Sequence, residues 1–497
     1  MTTSVSEQTS TAFLRQDTVK MLIGGQWVAA ASGKTFTTFN PATGQPLAQV
    51  AEGDAEDIDR AVAAARKAFE GDPWRKLTPS QRGRLLWKVA DLIEEHADEL
   101  AELETLDNGK PIKYSKGGDV PLTADHFRYF AGWASKLEGD TIPVSIPNMF
   151  TYTLREPLGV VGQIIPWNFP MQMAAWKLAP ALACGNTVVL KPAEQTPLTA
   201  LRLGELICEA GFPDGVVNIV PGYGATAGAA LAAHMDVDKI AFTGSTEVGR
   251  KIVQASAGNL KKVTLELGGK SPNIIFPDAD MTQAVRGVMN AIYFNSGQVC
   301  TAGSRLFIQS SVYDEVIDKV TAAAQKMQVG PGLNPKTDVG PLITQEQLER
   351  VAGYIASGRS EGAVTTTGGD RAGGELADGY FIPPTVFAQV RDEMTIAREE
   401  IFGPVVVAMP FEDLDEVAAR ANASIYGLAA GVWSSNVRTV HRMAAALKAG
   451  VIWANTYNQF DAAAPFGGYK QSGSGREMGH AVLDAYTQTK TVWVNVR

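Results

Sequence analysis

Apolar positions fall at helical spacing after Asp54, through AEDIDRAVAAARKAF, and again in LLWKVADLI after Thr78-Pro79-Ser80-Gln81. The second start combines an N-cap Thr, a first-turn Pro and a Gln that closes a capping box, and Asn108-Gly109 supplies the stop. Two helices are therefore predicted before residue 110. From Leu158 the rhythm changes: the β-branched runs GVVGQII, NTVVL, VVNIV, DKIAF and KKVTLEL alternate with helical segments beginning near Met171, Pro197, Ala225 and Thr246. The alternation restarts after Gly268-Gly269 with NIIF, a helix from Asp280 to Phe294, RLFIQ, a helix from Ser311, VVVAM, a helix from Phe411, GVW, a helix from Val437 and VIWAN. Strands alternating with helices predict parallel sheets with right-handed crossovers, here in two successive α/β units.

Residues 137–158 and the stretch from Thr487 to Arg497 are β-rich and carry no helix, so they are predicted to pair outside both units. The Gly-rich run near 368–379 reads as a surface loop, and no internal repeat is found. The domain boundaries expected are 1–136 with 159–268, then 269–470, with 137–158 and 487–497 as a small β element.

Composition narrows the function. The chain has 497 residues, with 44 basic against 53 acidic side chains for a net charge of -9, and no Lys/Arg-rich block, so a nucleic-acid partner is not expected. Three cysteines (Cys184, Cys208, Cys300) without metal spacing argue against a disulfide framework and a metal site, and for a reducing compartment. Apolar runs are broken well short of the ~18 residues a membrane span needs, and the opening MTTSVSEQTSTAFLRQD is polar. No membrane association, a cytoplasmic location and a loose N-terminal tail are expected.

Candidate chemistry sits where strands end. Cys300, in FNSGQVCTAGSR, lies in a predicted loop among small residues and is a candidate nucleophile, although a free Cys is more often a small buried hydrophobe. Glu266, in LELGGKSP, ends a strand and is a candidate general base, against the plainer reading of a solvated strand-end carboxylate. Asn168, held between prolines in PWNFP, offers a fixed amide to an oxyanion, or is simply a turn residue. In FTGSTEVG, Gly244 and Gly249 bracket a strand-to-helix turn whose backbone N–H groups would face an anion, though this is not the six-position dinucleotide fingerprint. Lys191 and Glu194 project from a strand end in LKPAEQTP, and EEIFGPVV sets Glu400 and Phe402 on a turn facing the same cleft.

Together PWNFP, LKPAEQTP, FTGSTEVG, LELGGKSP, FNSGQVCTAGSR, EEIFGPVV and PFGGYKQSGSGRE keep the order and spacing of one family. Over roughly residues 20–497 the chain resembles the NAD(P)-dependent aldehyde dehydrogenase superfamily. The resemblance implies a Rossmann-like NAD-binding domain, an α/β catalytic domain and a small β oligomerisation element, assembled as a homodimer or homotetramer. It also implies Cys300 as nucleophile, Glu266 as base and Asn168 with the Cys300 backbone N–H as oxyanion hole. Lys177 would stand near the active-site network and Lys191 at the adenosine ribose. Trp167 and Ser245 would face the pyrophosphate, with Glu194 on the adenosine ribose and Glu400 on the nicotinamide ribose. NAD is the cofactor implied, with NADP as the weaker alternative because Glu194 would repel its 2′-phosphate.

The implied reaction runs through a thiohemiacetal and a thioester on Cys300 to the carboxylic acid. None of the five histidines lies in a family motif, which weighs against a Cys-His esterase. Retention of Cys300 and Glu266 weighs against a non-catalytic binding descendant and against transfer to CoA. Phe169, Met173, Trp176, Phe294 and Phe460 are the implied tunnel lining, which suits an uncharged aliphatic or aryl aldehyde; a semialdehyde or betaine-aldehyde type substrate is the alternative.

Overall fold

Asp54 accepts the Glu56 backbone N–H at the N-terminus of the Ala55–Glu70 helix, and Asp57 reaches back to the Asp54 N–H to close a capping box. Thr78 and Gln81 close the second one, ahead of Pro79–Glu95. In this computed structural model, which describes residues 12–497, the run expected as one helix to Asn108 is two. It breaks at His96 and resumes as Ala97–Asn108, which Gly109 ends in the left-handed region (φ 87°). The segment near Ala225 is a π-helical turn, Gly224–Gly228, before the short helix Ala229–Ala233. The predicted loose tail lies outside the described residues for its first eleven positions; beyond them Ala12–Arg15 forms a 3₁₀ turn that buries Phe13.

Eight strands form the first sheet, in the order Gly473–Ser474, Lys262–Glu266, Lys239–Thr243, Val160–Ile164, Thr187–Lys191, Val217–Ile219, Met21–Ile23 and Gln26–Val28. The five from Lys262–Glu266 to Val217–Ile219 are parallel, and the flanking strands are antiparallel. Val160–Ile164 and Thr187–Lys191 are buried at every residue, as continuous apolar runs covered on both faces must be. From Val160–Ile164 the chain moves outward through two parallel strands, then crosses to Lys239–Thr243 on the other side. The strand order therefore reverses between these two neighbours, and their carboxyl ends open a crevice there.

The second sheet has seven strands: Val364–Thr367, Thr385–Ala388, Val405–Phe411, Arg305–Gln309, Pro272–Ile275, Ala429–Trp433 and Val451–Ala454, parallel except for the first. Each large sheet carries packed apolar layers on both faces. The helix Gln345–Ser360 and the strands Val364–Thr367 and Thr385–Ala388 had no counterpart in the sequence reading, nor did the N-terminal strands and the hairpin Thr35–Asn40/Gln45–Ala51. Thr487–Asn495, Met149–Pro157 and Thr141–Ile142 form a separate three-stranded sheet. Among the described residues no helix is long and apolar enough to cross a membrane.

Candidate active site

Both switch-point strands run straight into the cleft. Ile164 leads to Pro166, Trp167, Asn168 and Phe169, and Thr243 leads to Gly244 and Ser245; all of these from Pro166 onward line one cavity of about 510 Å³. The same cavity collects Glu266 from the end of its strand, Cys300 from a loop, and Glu400 and Phe402 from the second α/β unit. Residues scattered over more than two hundred positions of chain thus meet in one space.

Cys300 follows a turn in which Asn295, Ser296 and Gly297 all have positive φ (47°, 56° and 73°). Left-handed backbone costs a non-glycine residue about 1–2 kcal/mol, so the turn must be held by its surroundings. Asn295 Nδ2 donates to the Asn168 carbonyl (2.9 Å), Ser296 Oγ to the Gly340 carbonyl (2.8 Å), and Gln298 Oε1 accepts the Ile343 N–H (2.9 Å). At Gly297 a Cβ would stand 2.0 Å from the Gly403 carbonyl oxygen, which leaves room for glycine alone. Asn168 Nδ2 donates one hydrogen to the Gln298 carbonyl (2.9 Å), which anchors the amide beside the Cys300 loop and keeps the second hydrogen for another acceptor.

The thiol of Cys300 is pushed up to about 12, first by burial and then by the carboxylates of Glu400 and Glu266. Glu266 is buried, and burial followed by the charge of Glu477 holds its carboxyl well above the ordinary range, against the opposing pull of Lys177 and Arg476. Its Oε2 has no hydrogen-bond partner in the protein. A buried carboxyl with a free oxygen and a raised pKa, sharing a cavity with a thiol, is equipped to take a proton from a water or from the thiol itself.

Lys177 lies outside the cavity. It donates to Glu477 Oε1 (2.6 Å) and Thr243 Oγ1 (2.7 Å), behind Glu266. Glu477 stands in PFGGYKQSGSGRE yet received no role in the sequence reading. Its partner Lys177 is 300 positions away, a juxtaposition that only the fold reveals.

The groups expected around a dinucleotide occupy three places. Ser245 caps the helix Thr246–Ser256, accepting the Val248 N–H (3.3 Å), and itself lines the cavity, which sets the N-terminus of that helix at the cleft. Glu400 is half-buried, its carboxyl raised to about 7 chiefly by desolvation; Oε1 accepts the Gly269 N–H (2.9 Å), and a Cβ at Gly268 would meet Oε2 at 2.2 Å. Lys191 and Glu194 pair at 2.9 Å, outside the cavity wall. Gly249 also lies outside it, packed within its helix against Leu267. Trp167 meets Phe402 edge to face at 5.3 Å. A capped helix N-terminus at the cavity and the Glu400 carboxylate in its wall suit an anionic, hydroxyl-bearing ligand such as a dinucleotide.

At the other end of the cavity Phe169, Met173, Trp176, Phe294 and Phe460 form the wall, joined by Phe466, which the sequence reading left out. Their rings pack at 5.3–6.2 Å. Among the lining residues the cation is Arg350, which donates to the Glu400 carbonyl (3.0 Å) and so is tied to the cofactor end.

Residues 27–492 match the model of the Aldehyde dehydrogenase family. The chain belongs to the aldehyde dehydrogenase family. It is 56% identical over 480 residues to the mitochondrial aldehyde dehydrogenase of Homo sapiens, covering 96% of this chain and 92% of that one. With the mitochondrial benzaldehyde dehydrogenase of Antirrhinum majus it shares 55% identity over 474 residues, 95% and 88% of the two chains. The structure of the NAD+ complex of the Bacillus cereus aldehyde dehydrogenase superposes with a TM-score of 0.96 at 54% identity, covering 100% of this chain and 99% of that one.

Proposed function

We propose that this NAD-dependent aldehyde dehydrogenase oxidises uncharged aliphatic and aryl aldehydes to carboxylic acids by covalent catalysis at Cys300. The observation that carries this reading is a single cavity that joins a thiol and a raised-pKa carboxyl to an aromatic wall. A carboxylate-bearing semialdehyde meets no free cation at that wall, since Arg350 is held at the cofactor end and Lys110, behind Phe169, is wholly enclosed and paired with Asp119.

Cys300 loses its proton to Glu266 and its sulfur adds to the aldehyde carbon, forming a thiohemiacetal whose oxyanion is met by the free Asn168 amide hydrogen and the Cys300 backbone N–H. NAD, when bound, supplies the acceptor for the hydride that leaves that carbon. The carbon is then a thioester on Cys300. Glu266 first gives up to solvent the proton it took from Cys300. It then takes one from water as the water oxygen attacks, the carbon–sulfur bond breaks, that proton passes to the departing sulfur, and the carboxylic acid leaves with the Cys300 thiol restored. Lys177 and Glu477 bear on this step by setting the charge beside Glu266.

In this reading residues 1–136 with 159–268 hold the cofactor, 269–470 supply the thiol, and the sheet of 137–158 and 487–497 joins subunits. Phe150, Leu154 and Val494 are exposed on one face of that sheet and Ile142 and Trp493 on the other, apolar surface that a second copy would cover. The activity itself is tested by Cys300→Ser, which is expected to keep the fold and NAD binding and to lose NAD-dependent aldehyde oxidation. Oxidation at near wild-type rate in that variant overturns the proposal.

A further inference from the structure

Behind the aromatic wall lies a buried cation for which the chemistry above has no use. Lys110 follows the Asn108-Gly109 helix stop, and its side chain is wholly enclosed. Its Nζ stands 3.9 Å from the centroid of the Phe169 ring and bonds to Asp119 Oδ2. Glu104 Oε1, otherwise without a partner, is 4.0 Å away. The second Asp119 oxygen accepts Gln172 Nε2 at 3.1 Å. Phe169, Gln172 and Asp119 all line the aldehyde cavity. One ammonium group thus touches a ring of the wall directly and reaches an amide of the same wall through a carboxylate.

Stability does not account for it. Apolar side chains of similar volume usually replace a buried ion pair at no loss, because desolvating two charges costs as much as their attraction returns. Position does account for it. Apolar contact is non-directional, and the neighbouring Phe294 ring lies at 5.9 Å from Phe169, whereas a cation over a ring face favours one placement of that ring. We propose that Lys110 is a positioning residue for substrate selectivity: it clamps Phe169 and, through Asp119, Gln172, fixing the surface on which ring-bearing aldehydes pack and favouring them over short aliphatic ones. The inference rests on the cavity being the aldehyde site.

The test compares kcat/KM for phenylacetaldehyde and acetaldehyde, with NAD, in the full-length protein. Lys110→Met alone strands the Asp119 charge, so Lys110→Met is combined with Asp119→Asn, and Lys110→Gln, which keeps a donor to Asp119, serves as the second route. In either, the phenylacetaldehyde-to-acetaldehyde ratio is expected to fall about tenfold, through KM for the aryl substrate. Lys110→Arg, which keeps the cation, is expected to hold the ratio within about threefold. In a Phe169→Leu background the same changes are expected to move it less than about twofold. A purely structural role lowers kcat for both aldehydes together and leaves the ratio where it was. That outcome, or an equal fall in the Phe169→Leu background, overturns the proposal. A wild-type protein that oxidises neither aldehyde would instead overturn the reading of the cavity.

Discussion

Glu194 offers the most direct way to alter cofactor choice without touching the reacting atoms. In the proposed complex its carboxylate accepts the adenosine ribose hydroxyls and repels a 2′-phosphate. Lys191 Nζ, almost fully buried, holds that carboxylate at 2.9 Å and limits how far it can turn away. Two like unit charges ~4 Å apart cost about 4 kcal/mol at an effective dielectric of ~20. The Glu194 side chain is 27% exposed, and water and salt screen that figure to about 1–2 kcal/mol. Glu194→Gln removes the charge, keeps the shape and frees Lys191 to meet the phosphate. The ratio of kcat/KM for NADP to that for NAD is therefore expected to rise about 5- to 30-fold, mainly through KM for NADP. Initial rates at fixed propanal with each cofactor measure it, and the effect should shrink as ionic strength rises. A ratio that moves less than about twofold would refute the placement of Glu194 at the ribose.

Gly268→Ala places a Cβ where Glu400 Oε2 lies, so the flexible carboxylate must move and loosen its bond from the Gly269 N–H; KM for NAD is expected to rise about tenfold or more with the fold retained, as judged by circular dichroism. An unchanged KM would show that Glu400 does not touch the cofactor. Light scattering at micromolar concentration is expected to report a dimer or tetramer, and Trp493→Lys with Phe150→Lys to shift it toward monomer by charging the exposed sheet. A wild-type monomer contradicts the assignment of that sheet to assembly.

What the sequence disclosed depended on whether the cause was local. The capping boxes at Asp54/Asp57 and Thr78/Gln81 are satisfied within one turn, and both helices start as read. The break at His96 was hidden because ADELAELETLDN continues a good helical pattern, and nothing local marks the change of direction. Gln345–Ser360 was missed because its polar face outweighs the few apolar positions, Leu348, Val351 and Ile355, that it buries. Strands Val364–Thr367 and Thr385–Ala388 are four residues each, too short for alternation to register.

The same distinction holds in the site. Cys300, Glu266, Asn168, Glu400, Phe169 and Phe294 stood in motifs, Met173, Trp176 and Phe460 came only with the resemblance, and the fold gathers them all in one cavity. Motif membership alone did not separate Ser245, which caps a helix at the cleft, from Gly249, which packs against Leu267. Glu477, Lys110 and Asp119 escaped because each acts on a residue distant in sequence: Glu477 on Lys177, Lys110 on Phe169, Asp119 on Gln172. A buried charge draws its meaning from what encloses it, and sequence spacing does not carry that.

One covalent intermediate, an acyl group on Cys300 that Glu266 releases, is central to the proposed chemistry, and Glu266→Gln traps it. The substitution keeps the side chain's size and removes its ability to take a proton. After mixing of that variant with NAD and propanal, at most one NADH per site is predicted, formed more slowly than by the wild type because Cys300 has lost its base as well, with little turnover after it. Mass spectrometry of the quenched protein should find the propanoyl group on the peptide that carries Cys300. Steady turnover at the wild-type rate, or NADH formed with no acyl group on that peptide, would contradict the account.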